Sequence, residues 1–320
     1  MTNRISERLG LGLAALGRPA YITTGRDRDL AERNVDDMRT RTFDVLDSAY
    51  KLGIRYLDTA RSYGHAEEFL AAWLREHPEI TDVTIASKWG YRYVGDWRMD
   101  AEVHEVKDHS LDAFTEQLRQ TQTLLGHRLD LYQVHSLTDD SPLWCDTRLH
   151  ESLARLRDAG TRIGLTTSGP HQDRAVRAAL DLTIGGAPLF SAIQSTWNLL
   201  ESSVGPALVD AHQHGFSIVI KECFANGRLA PGSGDHSPRV QQAAVLAADE
   251  GLGIDQLAIA AALAQPFAPR VLSGAVTPGH LRSHLDGTHH RMTDDVLAQL
   301  TTIAEDPDHY WTARSQRTWS

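Results

Sequence analysis

The sequence predicts an α/β fold, and within it a closed (β/α)8 barrel, on three observations. Eight short apolar or β-branched runs alternate with longer stretches of helical period. Glycines fall just past several of the helical stretches, where a left-handed stop is wanted. No linker rich in Pro, Gly or Ser breaks the rhythm across the 320 residues. The first strand reads as residues 9–16. Its Gly10 and Gly12, with Gly17, imitate a dinucleotide fingerprint only loosely, because the spacing is wrong and no helix opens directly on them. A helical pattern over 42–52 stops at Gly53 and feeds the second strand, 55–58. Helix 66–75 precedes the third strand, 83–87. Helix 110–125 with Gly126 precedes the fourth, 129–135, and helix 149–159 with Gly160 precedes the fifth, 161–166. Helix 173–182 leads to the sixth, 192–196. Helix 204–214 with Gly215 leads to the seventh, 217–220. Helix 256–264 leads to the eighth, 271–273, followed by an additional C-terminal helix and tail.

Eight strands with interleaved helices favour the TIM barrel over an open doubly wound sheet, as one domain spanning residues 1–320. Long loops are expected after strands 1, 3 and 7, over residues 17–39, 90–109 and 227–238. The last, with Gly232, Ser233 and Gly234, reads as a flexible flap.

Composition narrows the function. Hydrophobic residues at 41% and charged residues at 23% are ordinary for a globular protein and argue against disordered, collagen-like and coiled-coil readings. A net charge of −10 would repel phosphate backbones and anionic lipid, so neither nucleic acid nor membrane is an expected partner. No apolar run is long enough to span a bilayer and the opening residues are charged, which points to a cytoplasmic protein. Cys145 and Cys223 lack metal-ligand or redox-pair spacing. His212 with His214, and His289 with His290, lack the spacing and carboxylates of a metal site, so no metal is expected.

In barrels of this kind, catalytic groups sit at the carboxyl ends of the strands and in the loops that follow. Asp58 ends the second strand and Tyr63 follows it; Lys88 ends the third and His135 the fourth. Singly, each has an ordinary structural role, but the set converges on one face. A buried lysine paired with a carboxylate stays cationic and would favour the phenolate of a nearby tyrosine, so that Tyr63 would donate a proton near neutral pH. A proton donor alone reduces nothing; a hydride source is needed, and a nicotinamide cofactor is the natural one.

The stretches Leu57-Asp58-Thr59-Ala60-Arg61-Ser62-Tyr63-Gly64-His65-Ala66-Glu67, Ser87-Lys88-Trp89-Gly90 and Asp130-Leu131-Tyr132-Gln133-Val134-His135 resemble the aldo-keto reductase superfamily. The resemblance covers nearly the whole chain. It implies a catalytic set of Asp58, Tyr63, Lys88 and His135: Tyr63 the acid, Lys88 and Asp58 its tuning pair, His135 the donor that orients the carbonyl. It implies cofactor contacts from Gln194, with Trp197 stacking on the nicotinamide where the family more often has Tyr, and from Ser136, Thr166, Thr167 and Lys221. Residues 273–281 resemble the stretch that grips the adenosine end, which adds Gly274, Val276, His280, Arg282 and His284. NADP(H) is the expected cofactor and NAD(H) the alternative, because Val276 and His280 stand where a phosphate would prefer Lys or Arg.

Trp89, Trp97 and Trp144 are expected to wall the substrate. Asp96, Arg98, His104, Glu105 and Lys107 make the third loop polar and favour a sugar-like carbonyl. The expected function is reversible NADP(H)-dependent reduction of an aldehyde or ketone to an alcohol. The competing readings are an NAD-dependent sugar dehydrogenase and a nucleotide-binding barrel that regulates a partner as a redox sensor.

Overall fold

The structure is a computed structural model that describes residues 8–23, 29–30 and 32–319. The charged opening segment and part of the first long loop lie outside the described residues. Eight parallel strands close a barrel: β1 (Leu9–Gly12), β2 (Tyr56–Asp58), β3 (Thr84–Trp89), β6 (Leu131–Leu137), β7 (Arg162–Thr167), β10 (Ala192–Thr196), β11 (Ser217–Lys221) and β12 (Arg270–Ser273). Each pairs with its neighbours in sequence, and β12 closes on β1 through Leu9 opposite Val271. All eight predicted strands are present. The first is shorter than predicted, because the amides of Leu16 and Gly17 turn back to the carbonyl of Leu13.

Helices return the chain between strands: α1 (Val35–Lys51), α2 (Ala66–Glu76), α3 (Leu111–Leu125), α4 (Thr147–Asp158), α5 (Gln172–Asp181), α6 (Gly205–Gln213), α7 (Pro238–Asp249), α8 (Ile254–Leu263) and α9 (Pro278–Gly287). Then come α10 (Asp294–Leu300) and α11 (Pro307–Ser315), the additional C-terminal helix. Helix α1 starts seven residues earlier than its apolar period suggests, because Asn34 caps it by accepting from the Asp37 amide at 3.0 Å. Two antiparallel hairpins decorate the barrel: β4 (Tyr91–Tyr93) with β5 (Glu105–Lys107) inside the long third loop, and β8 (Thr183–Ile184) with β9 (Ala187–Pro188) before β10. The loop after β11 is pinned. Arg228 bonds Asp235 at 2.5 Å and Glu305 at 2.6 and 2.8 Å, which ties the segment read as a flap, 227–238, to the C-terminal region.

The strand period of two fixes which side chains face the barrel axis. Tyr56, Ala86, Leu131, Ala192, Val219 and Leu272, one from each of six strands, form a separate apolar plug. Gly10 belongs to that layer; a Cβ there would meet Leu272 at 2.8 Å and Tyr56 at 2.9 Å. Two residues further along the same strands stand Asp58, Lys88, Gln133, Gln194 and Lys221. The polar layer therefore rests directly on the apolar one, at the carboxyl end of the barrel.

Candidate active site

Asp58 and Lys88 form the centre of that layer. Lys88 Nζ lies 2.5 Å from Asp58 Oδ2 and donates to the Thr59 carbonyl at 2.8 Å, and Lys88 is 1% exposed. The other oxygen, Asp58 Oδ1, accepts from Gln194 Nε2 at 2.8 Å and Gln133 Nε2 at 3.4 Å. Both halves of a buried ion pair are thus hydrogen-bonded, which such a pair requires to be tolerated. Burial lowers the Lys88 pKa, against the pull of Asp58.

Tyr63 lies in the turn after β2, its Oη 3.5 Å from His135 Nε2, the two rings edge to face at 5.4 Å. Lys88 Nζ is 4.8 Å from the Tyr63 ring centre, and the Arg18 guanidinium is 5.1 Å from it. His135 Nδ1 lies 3.4 Å from Ser62 Oγ. Burial, then the charges of Lys88 and Lys221, hold the imidazole pKa well below its ordinary value, so the ring is neutral at neutral pH. The phenol behaves opposite to the expectation from sequence. Burial first, then the Asp58 charge, raises the Tyr63 pKa well above 10.0, because the Lys88 charge is neutralised by Asp58 and burial in low dielectric disfavours a phenolate.

A cavity of about 670 Å³ opens above this layer. Asp58, Tyr63, His135, Ser136, Gln194 and Lys221 line one part of it, and Gly274, Val276, His280 and His284 another. Lys221 Nζ donates to Thr196 Oγ1 at 2.6 Å and lies 3.4 Å from Glu222, and burial draws its pKa down to about 8. Glu222 has a positive φ of 54° and is gripped twice by Arg314 of α11, at 2.8 and 2.5 Å. Although burial opposes it, Arg314 and Lys221 hold the Glu222 carboxyl at about 2. The C-terminal helix is thereby tied to the mouth of the barrel.

Several expected contacts fall elsewhere, chiefly through strand alternation. Trp89 and Trp197 lie one residue beyond the axis-facing Lys88 and Thr196 and point outward. Trp89 packs at 5.1 Å against Phe114 of α3, and Trp197 at 6.3 Å against Phe267. Thr167 also faces outward, bonding Ser195 and Gln172. Thr166 is buried, its Oγ1 accepting from the Ser136 amide at 2.7 Å. Trp144 donates to the Thr138 carbonyl. Trp97 donates to the Arg33 carbonyl and lies tilted against His65 at 4.8 Å, lining a second hollow beside α2. Arg282 is exposed on α9. None of Trp89, Trp97, Trp144, Thr166, Thr167, Trp197 and Arg282 lines the main cavity.

The cavity includes residues that the sequence reading left out. Arg18 is 3% exposed, packs on Tyr63 and Tyr21, and bonds Glu105 of the β4–β5 hairpin at 2.7 Å. Arg314 and Asp255 also line it. Gln133, which bonds Asp58 beneath the cavity, was legible, two residues before His135 on the same strand. Arg18, Glu105, Arg314 and Asp255 meet only through tertiary packing.

Residues 8–305 match the sequence pattern of the Aldo/keto reductase family. Protein tas of Escherichia coli (strain K12) is 25% identical over 305 residues, covering 81% of this chain and 87% of tas. An aldo-keto reductase of Bacillus halodurans, solved in its holo form, superimposes with a TM-score of 0.68 at 20% identity, over 93% of this chain and 92% of its own. A Pseudomonas aeruginosa protein ascribed to the aldo-keto reductases gives a TM-score of 0.62 at 22% identity, over 88% and 89%. The two structures share the barrel.

Proposed function

The chain belongs to the aldo/keto reductase family, oxidoreductases of carbonyl compounds, and from that premise we propose that it is a single-domain, cytoplasmic enzyme reducing an aldehyde or ketone with a nicotinamide dinucleotide. The observation that carries the reading is the meeting of Tyr63 Oη and His135 Nε2 at 3.5 Å, above the Lys88–Asp58 pair, on the wall of a large cavity.

The cavity suits the cofactor. A Cβ built on Gly274 meets nothing within 4 Å, so backbone is open there, and Gln194 brings a side-chain amide to the opposite part. Gln194 and Ser136 would hold the carboxamide, and Gly274, Val276, His280 and His284 the adenosine end. When bound, the nicotinamide supplies a hydride to the carbonyl carbon.

Tyr63 gives its phenolic proton to the carbonyl oxygen as negative charge develops there. A buried phenol with a raised pKa is protonated at neutral pH, the form that reduction needs. Neutral His135 donates from Nε2 to the same oxygen, with Nδ1 free to accept from Ser62. Lys88 then stands 4.8 Å from the ring that carries the new negative charge. The polar third loop and Arg18 favour a hydroxylated, sugar-like carbonyl. Replacing Tyr63 with Phe tests the reading: turnover should fall by about 10²–10⁴-fold, the usual worth of a positioned acid, with dinucleotide affinity nearly unchanged. A Tyr63→Phe enzyme that keeps most of its activity would overturn it.

A further inference from the structure

We infer that the adenosine end of the cavity selects NAD(H) over NADP(H), with Asp255 the residue that sets the choice. The inference rests on the dinucleotide reading above. Asp255 lies in the first turn of α8, 3% exposed, and lines the cavity together with Ser283. Its Oδ2 accepts from Ser283 Oγ at 2.6 Å and lies 3.8 Å from His284 Nε2. Its Oδ1 is buried and has no hydrogen-bond partner. That oxygen is turned toward Gly253, where a built Cβ would come within 2.7 Å of it, so Asp255 acts on the cavity through the field of its carboxylate.

The surrounding groups offer a phosphate little. His284 is fixed by Ser273 Oγ at 2.8 Å and stacks on Phe224 at 4.4 Å; burial draws its pKa down, against the pull of Asp255. Asp29, from the first long loop, reaches within 3.6 Å of His280 and occupies that imidazole with a second carboxylate. Val276 is apolar and 6% exposed. Among the described residues, the Lys and Arg side chains of the lining are engaged elsewhere: Arg18 on Glu105, Lys221 and Arg314 on Glu222, Arg317 on the carbonyls of Ala225 and Asn226.

A 2′-phosphate adds between one and two negative charges and wants charge-assisted donors. Here it would enter a pocket end with two carboxylates. A ribose diol is uncharged and meets no such repulsion. Asp255 is a specificity-determining residue on this account, with Asp29 reinforcing it.

The test is fluorescence titration of the full chain with NADH and with NADPH, repeated on Asp255→Asn and Val276→Arg. Wild type should bind NADH about tenfold or more tighter than NADPH, Asp255→Asn should narrow the gap several-fold, and Val276→Arg should tighten NADPH alone. If Asp255→Asn does not fold, displacement of NADH from wild type decides: 5′-AMP should compete better than adenosine 2′,5′-bisphosphate. Equal or tighter NADPH binding, a gap unmoved in Asp255→Asn, or better competition by the bisphosphate would overturn the inference while leaving the reductase reading intact. Binding of neither dinucleotide would overturn both.

Discussion

Tyr63 shows most clearly how environment decides chemistry. Burial first, then the Asp58 charge, outweighs the pull of Arg18, and the phenol is held protonated. The sign of the resulting pH dependence differs between directions. Reduction needs the phenol, and since Tyr63 stays protonated and His135 neutral, neither should bend the rate between about pH 6 and 9; the inflection expected in that window is that of Lys221, near 8. Oxidation of an alcohol needs the phenolate and should rise steadily with pH over the same range. Initial rates in both directions across pH check this; a reductive rate that falls through neutrality would mean a Tyr63 pKa drawn down instead. At this scale the sequence revealed residue types but not their field. The pairing of Lys88 with Asp58 was readable; its consequence for Tyr63 was not, because burial has no signature in one strand end. Alternation was readable and decides the tryptophans: Trp89 and Trp197 sit one residue out of phase with the axis-facing Lys88 and Thr196 and pack outward on Phe114 and Phe267.

At the scale of elements, the strand ends fix the site through close backbone approach. Gly17, in the turn after β1, lies against the segment that carries Tyr63: a Cβ there would come within 2.3 Å of both the Tyr63 carbonyl and the Ala66 Cβ. Gly17→Ala should cost about 1–3 kcal/mol by overpacking and push Tyr63 off His135, so that thermal midpoint and kcat fall together. A variant with unchanged kcat would show that the turn does not position Tyr63. The eight strands were legible because short apolar or β-branched runs alternate without interruption with helical stretches, four of which stop at Gly53, Gly126, Gly160 and Gly215. Helices α7 and α9 were not marked out, although Pro238 and Pro278 open them at a position that suits proline. The β4–β5 hairpin hid inside a loop rich in charge, and its Glu105 acquires meaning only by meeting Arg18 from the first loop.

Across the whole molecule, the cavity gathers its charged groups in two places. Arg18, Lys221, Arg314 and Arg317 gather among the lining contributed by the first loop, the end of β11 and the C-terminal tail, while Asp29 and Asp255 flank His280 and His284. The barrel supplies the rigid floor, tied by the bond from Gln194 to Asp58, 136 residues apart, and segments distant in sequence supply the walls, as in the grip of Arg314 on Glu222, 92 residues apart. That distance in sequence is why the wall was the least legible part of the site. No described helix is long and apolar enough to cross a membrane. The central claim, hydride delivery from a dinucleotide to a carbonyl protonated by Tyr63, is tested most directly by following the label. Wild-type enzyme is given dinucleotide deuterated at the reactive nicotinamide carbon, in ordinary water, with a panel of short hydroxy-aldehydes, and the alcohol formed is examined by NMR. Deuterium on the carbinol carbon, with the hydroxyl proton drawn from solvent, is the predicted result; an alcohol without carbon-bound deuterium, or no alcohol from any aldehyde in the panel, would contradict the account.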